Sequence, residues 1–378
     1  MTNAVVPLID GHLDLAWNAL AWNRDLRESV EELRSREVDL HDDKARTHAT
    51  VSLPEMRRGG VMACLGTVLA RSKPAVRPVQ RVSIDYVDQT IASAVARGQL
   101  AYYHVLADAG HVRMINTGQE FAAHCAAWQR NADAPLGVVV AMEGADPIIS
   151  PDDAQGWWDA GLRVVGLAHY GPSAYAMGTV SASSEDSIAN PSMTADDWVD
   201  GITDAGRALL AEFERLGMIV DATHLSDRCL DELLDGFGGT ILASHCNCRG
   251  LVDRQRQLPD HHLRGLIDRG SVIGAALDAW MLDASWVLGG ENDGLLRLAS
   301  VADHMDYVCQ LAGNTRHSGI GSDLDGGFGT EQSPRDLDTI ADLQKLGGLL
   351  RDKGYNDEDV AAIFHGNWLR LLSESLPD

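Results

Sequence analysis

The stretch TDAGRALLAEFERLGMIVDATH, residues 203–224, contains one complete structural unit, a helix and the strand after it. Thr203 is a helix-capping residue, and Ala205, Ala208, Leu209, Phe213 and Leu216 then fall on one face at helical spacing. Gly217 suits the left-handed turn that closes such a helix. The run 218–222 comes next, and it is apolar but for Asp221, which predicts a strand buried on both faces, as in a parallel sheet. His224 stands just past the end of that strand.

The same pattern extends in both directions. Short apolar runs lie at 5–9, 61–68, 136–142, 162–168, 218–222, 240–244, 271–277 and 319–322, separated by amphipathic stretches such as 263–269, which Gly270 closes. Eight alternating units in 378 residues predict an α/β fold, the (β/α)8 TIM barrel of metal-dependent hydrolase type. The average is roughly 47 residues per unit against roughly 31 in a minimal barrel, so the surplus is assigned to loops. Long loops are expected near 68–87, with Pro74 and Pro78, and near 171–201, rich in Ser, Ala, Gly and Asp. With no Pro/Ser-rich spacer and no low-complexity tract, residues 1–378 read as a single catalytic barrel domain.

Composition excludes several functions. Lys and Arg number 31 against 55 Asp and Glu, a formal charge of −24, and no basic run interrupts it. Nucleic-acid backbones and anionic membrane surfaces both require clustered cations, so neither is an expected partner. Apolar residues at 45% and charged residues at 23% are ordinary for a globular chain, which leaves a disordered reading without support. No run approaches the ~20 apolar residues of a membrane span. Met1 leads within a dozen residues into chemistry-bearing sequence, leaving no room for a signal peptide, and the polar end 371–378 lacks a lipid-anchor tail. The six cysteines sit mostly in apolar runs, as expected of a protein in a reducing cytoplasm.

Chemistry concentrates at the strand ends, which form the active-site face of a barrel. In Ile9-Asp10-Gly11-His12-Leu13-Asp14, His12 and Asp14 are two apart and point the same way in extended chain. Glu143 ends the third strand, His224 follows the fifth and His245 the sixth. Five such N and O donors suit two divalent ions, zinc above all, and the two oxygens of Glu143 can bridge them. After strand eight come Asp323 and Asp325. Asp323, nearer the strand end, can take and return a proton, whereas Asp325 reads as the cap of a following turn. His169 ends strand four, and spacing leaves it open as ligand, oxyanion stabiliser or rim residue. The other histidines read as surface or packing residues, and Cys246-x-Cys248 has the wrong spacing for a zinc motif. No Lys-Ser/Thr follows the glycine pairs in the register of a phosphate loop.

Taken in order, Asp10–Asp14, Glu143-Gly144, Leu-x-His169, Leu216-Gly-Met-x-x-Asp-x-x-His-x-Ser226, Ser244-His245, Arg256-x-Leu-x-Asp260 and Gly-Ser-Asp323-x-Asp-Gly326 resemble the membrane (renal) dipeptidase family of zinc peptidases. The resemblance runs over almost the whole chain and includes Leu53-Pro54 before strand two and Gly366-Asn367-Trp368 near the end. It implies an amidohydrolase-type barrel that hydrolyses dipeptides, including L-Xaa-D-Xaa forms, by a hydroxide held between two Zn²⁺ ions. His12, Asp14 and Glu143 would hold one ion, and Glu143, His224 and His245 the other. His169 would polarise the scissile carbonyl, Arg256 would bind the substrate carboxylate beside Tyr170, and Asp323 would shuttle the proton. A homodimer is implied as well.

Three departures from the family pattern bear on specificity. The segment 170–178 lacks the usual Asn-containing stretch, Cys246 stands where Ser is usual, and strand seven ends in Leu277-Asp278-Ala279-Trp280. They leave an N-acyl amino acid or a lactone as the alternative substrate.

Overall fold

The computed structural model describes residues 5–73, 84–131, 133–179, 201–291 and 293–378. Most of the two expected long loops, 74–83 and 180–200, lies outside the described residues. Eight parallel strands form the barrel: β1 (Leu8–Leu13), β2 (Val61–Val68), β3 (Leu136–Met142), β4 (Leu162–Gly166), β5 (Ile219–Asp221), β6 (Ile241–Leu242), β7 (Ile273–Ala275) and β8 (Ser318–Ile320). Their order round the sheet is β7-β8-β1-β2-β3-β4-β5-β6. A parallel bridge from Ala243 to Ile273 joins β6 to β7, with Gly274 N donating to Ala243 O at 2.8 Å. The sequence-predicted α/β barrel is therefore the observed one. Every residue of β2 and β3 is buried, as their unbroken apolar runs require.

Two elements differ from expectation. A ninth strand, Val112–Met114, pairs with the start of β3. At three residues with Arg113 in the middle, it has too short an apolar pattern to be seen in the sequence. In the helix Asp204–Leu216 the buried residues are Gly206, Leu209, Leu210 and Phe213, while Ala205 and Ala208 are exposed. The helix is rolled so that its smallest residue meets backbone, since a Cβ on Gly206 would lie 2.1 Å from Tyr175 O. Thr203 caps it through Gly206 N, and Gly217 closes it at φ +76°.

The C-terminal ends of the strands converge closely. Side chains at Gly274 and Gly321 would place Cβ 2.0 and 1.7 Å from Ser244 O, so only glycine lets the ends of β7 and β8 approach the chain that carries His245. Beyond β2 a short parallel ribbon pairs Arg71–Ser72 with Asp85–Tyr86 and rises at the same mouth.

Candidate metal centre

Each strand end fixes one polar side chain. Asp10 in β1 is fully buried, and its Oδ1 accepts from His12 N at 3.2 Å and Ser322 N at 2.8 Å, tying the ends of β1 and β8 together. Asp14 follows β1 and accepts from the Thr67 hydroxyl of β2. Glu143 follows β3 directly, and His245 lies three residues past the end of β6. His224 and Asp323, three residues beyond β5 and β8, have φ of +69° and +57°. Left-handed backbone at a non-glycine residue is held against a local cost of ~1–3 kcal/mol, and such residues gather at functional sites.

These residues meet at one point. His12 Nε2 is buried without a hydrogen bond, 3.7 Å from Asp14 Oδ2, 3.7 Å from Glu143 Oε2 and 3.8 Å from Asp323 Oδ1. The other Glu143 oxygen, Oε1, lies 3.0 Å from His224 Nε2 and 3.4 Å from His245 Nε2. Glu143 thus turns one oxygen to each of two ligand-capable sets, His12/Asp14/Glu143 and Glu143/His224/His245. Asp323 joins His12 and His245 in a third, overlapping set.

The electrostatics of the cluster are unbalanced. Burial drives the Glu143 and Asp323 carboxyls upward, with His12 opposing both. Burial and the surrounding cations hold His224 and His245 well below the ordinary imidazole range, while the carboxylates overcome burial at His12 and push it up. Packing buried carboxylates and imidazoles this closely is costly, and a divalent cation would relieve that cost. The donor set of imidazole and carboxylate therefore fits a borderline metal.

Hydrogen bonds outside the cluster set the face each histidine presents. Ser244 Oγ donates to Asp221 Oδ2 at 2.5 Å and lies 2.8 Å from His245 Nδ1. With its one hydrogen given to Asp221, Ser244 accepts from His245 Nδ1–H, and the Nε2 lone pair faces Glu143. Asp221 Oδ1 also accepts from Ser244 N and Thr223 N, both at 3.0 Å.

His169 and Tyr170 complete one wall. The His169 ring lies 4.3 Å from that of His224, and its Nε2 is 3.7 Å from Glu143 Oε1. Tyr170 stands edge-on to both histidines at 4.6 Å. Arg256 is buried beside His224, with Nη2 3.3 Å from His224 Nε2 and donating to His245 O at 3.0 Å. All nine site residues expected from the sequence, His12, Asp14, Glu143, His169, Tyr170, His224, His245, Arg256 and Asp323, come together at this mouth.

Asp325 differs from its expected role as a turn cap. It is buried away from the cluster and accepts from Thr50 N and Oγ1 at 2.7 Å and Val51 N at 3.1 Å, clamping a distant loop. The sequence reading also missed Arg71, whose Nη1 lies 2.8 Å from His169 Nδ1, and Asp146. Buried Asp146 accepts from Ser72 N at 2.7 Å and Ala174 N at 2.9 Å, joining the ribbon to the loop after His169. Its position three residues after Glu143 was the available signal. On the outer surface, Asp231, His261 and His262 form a further group of ligand-type atoms, with His262 Nε2 2.8 Å from Asp231 Oδ1.

A parallel barrel carrying buried imidazoles and carboxylates at its C-terminal mouth defines the class, a metal-dependent hydrolase. The chain belongs to the membrane dipeptidase family, Peptidase family M19, whose pattern matches residues 3–376. Dipeptidase 3 of Rattus norvegicus is 24% identical over 369 residues, covering 97% of this chain and 65% of the relative. Dipeptidase aclJ of Aspergillus oryzae is 30% identical over 174 residues, 46% of this chain and 39% of that protein. The alignments thus span less than two thirds of both relatives. The solved structure of the M19 metallopeptidase dipeptidase AC superposes with a TM-score of 0.74 at 23% identity, covering 99% of this chain and 100% of that one. A metallopeptidase from Rhodobacter sphaeroides, bound to a phosphinate mimic of L-Ala-D-Ala, superposes with a TM-score of 0.72 at 22% identity, covering 98% and 100%. Both share the fold.

Proposed function

We propose that this chain is a binuclear zinc dipeptidase that hydrolyses free dipeptides, including those with a D-residue at the C-terminal position. The observation that carries the reading is Glu143, with Oε2 turned to His12 and Oε1 to His224 and His245. In this reading His12, Asp14 and Glu143 hold one ion and Glu143, His224 and His245 the second. Two such ions, when bound, polarise a carbonyl and make water nucleophilic at neutral pH.

The remaining steps fall to side chains. Asp323 points Oδ1 into the same space, 3.8 Å from His12 Nε2, where it can take a proton from the attacking water and return it to the leaving amine. Arg256 offers a guanidinium that recognises a substrate carboxylate bidentately, which selects a free C-terminus one residue from the cleaved bond. Tyr170, edge-on to His169, would contact the substrate beside it. The phosphinate dipeptide mimic held by the Rhodobacter sphaeroides structure supports the inclusion of L,D substrates.

A single barrel domain, a homodimer and a cytoplasmic location belong to the same proposal. The six cysteines are buried and form no disulfide among the described residues, which supports a reducing compartment, and no helix among the described residues is long and apolar enough to cross a membrane. The deciding experiment assays the purified protein, with its metals counted, on L,L and L,D dipeptides beside their N-acetylated forms. Cleavage of free dipeptides with about two zinc ions per chain is expected from a binuclear site. Activity confined to N-acylated or lactone substrates would overturn the dipeptidase reading.

A further inference from the structure

Arg71 stands at the start of the ribbon after β2 and uses its guanidinium on two sides. Nε and Nη2 donate to Asp85 Oδ1 and Oδ2 at 2.6 and 2.8 Å, and Nη1 is directed to His169 Nδ1 at 2.8 Å. A guanidinium has donors and no acceptor, so His169 Nδ1 must be the acceptor in this contact. A neutral imidazole that accepts at Nδ1 carries its proton on Nε2. Because Nδ1 accepts this hydrogen bond it carries no proton, and the ring is neutral. His169 therefore presents N–H where His245, held through Ser244, presents a lone pair. Neighbouring histidines in one site are set to opposite tautomers by what touches their far nitrogens.

We propose that Arg71 is a positioning residue: by donating to Nδ1 it holds His169 as an Nε2–H donor aimed at the scissile carbonyl oxygen and bars it from acting as a metal ligand. The inference rests on the dipeptidase reading. Asp85 has a part in it, because its bidentate grip leaves Nη1 directed at His169. Glu143 approaches the ring at Nε2, 3.7 Å away, and the rings of Tyr170 and His224 lie 4.6 and 4.3 Å from it.

The test uses zinc-loaded enzyme labelled with ¹⁵N-histidine, whose ring-nitrogen shifts report the tautomer without any substrate; His169→Gln identifies the signals. In the wild type, Nε2 of His169 should be protonated and Nδ1 bare; a proton on Nδ1 would overturn the proposal. Arg71→Leu should release the ring into a mixture of tautomers and lower kcat on a cleaved dipeptide about 10- to 100-fold, the range for losing the partner of a site group. KM should stay within about threefold, as for an interaction made in the transition state, with the metal content unchanged. Arg71→Lys, which keeps one donor, should recover part of the rate, and Arg71→Gln replaces the leucine variant if that fails to fold. An unchanged tautomer and kcat in a folded Arg71→Leu protein overturn the role of Arg71 alone. A wild-type rate in His169→Gln instead removes His169 from the reaction, and the proposal with it. Should no dipeptide be cleaved, the dipeptidase reading fails, and the tautomer spectra still decide whether Arg71 holds the ring.

Discussion

His224 Nε2 and His245 Nε2 face each other at 3.0 Å, each within 3.4 Å of the same Glu143 oxygen. Two imidazole nitrogens at that separation repel unless a proton or a cation lies between their lone pairs. Because Ser244 turns the His245 lone pair inward, Ser244→Ala should weaken metal binding about 10- to 100-fold while leaving all five proposed ligands in place. Zinc titration with a competing chelator measures it, and wild-type affinity would show that the Asp221–Ser244–His245 chain does not tune the site.

Asp323→Asn should lower kcat by about 10²- to 10⁴-fold, the range for losing a general acid–base, with the zinc content kept. Asparagine tolerates the left-handed backbone at this position, so the variant should fold normally. Steady-state kinetics with metal analysis on one sample separates the two effects. A rate close to wild type would remove Asp323 from proton transfer.

Arg256→Lys keeps a charge but loses the planar fork. Its KM for free dipeptides should rise by about tenfold or more, and the preference for free over C-terminally amidated dipeptides should shrink by a similar factor. If both substrates are affected equally, Arg256 acts through its bond to His245 O instead of through the substrate.

Away from the site, His304 gives a pH prediction. It is buried, accepts from Cys248 N at 3.1 Å through Nδ1, and is held down to about 4 by burial. Between that value and the free-histidine value near 6.5, the unfolded chain binds the proton more readily than the native one. Stability from this group is therefore complete above about pH 6.5 and drains away as pH falls through 4, amounting to about 3 kcal/mol. Denaturant unfolding of wild type and His304→Asn from pH 7 to 4 should show the steeper loss in the wild type, and parallel curves would refute it.

The barrel and the candidate site residues could be read from sequence for a common reason. Parallel strands are uniformly apolar, so His12, Glu143, His224 and His245 interrupt a clear pattern, and fold geometry then brings those interruptions together. Nothing local marks Arg71, which lies 98 residues from His169 in a segment that reads as loop. Asp221 was visible within its motif, but its partnership with Ser244 depends on the register of β5 against β6. The exposed Ala205 and Ala208 show a further limit, because periodicity gives the apolar stripe of a helix but not the roll imposed by a backbone contact at Gly206.

Asp146 bears on how this enzyme could acquire new substrates. Barrel enzymes are commonly regarded as modular, with loops exchanged over an unchanged scaffold. Here a single carboxylate holds the ribbon through Ser72 and the segment after His169 through Ala174, so the two loops share one anchor. Grafting either loop alone from another barrel would leave a buried acceptor without its donor, a loss of the kind that costs ~1–3 kcal/mol. The two loops therefore form one unit of inheritance, and any engineered change of specificity at this mouth has to exchange them as a pair.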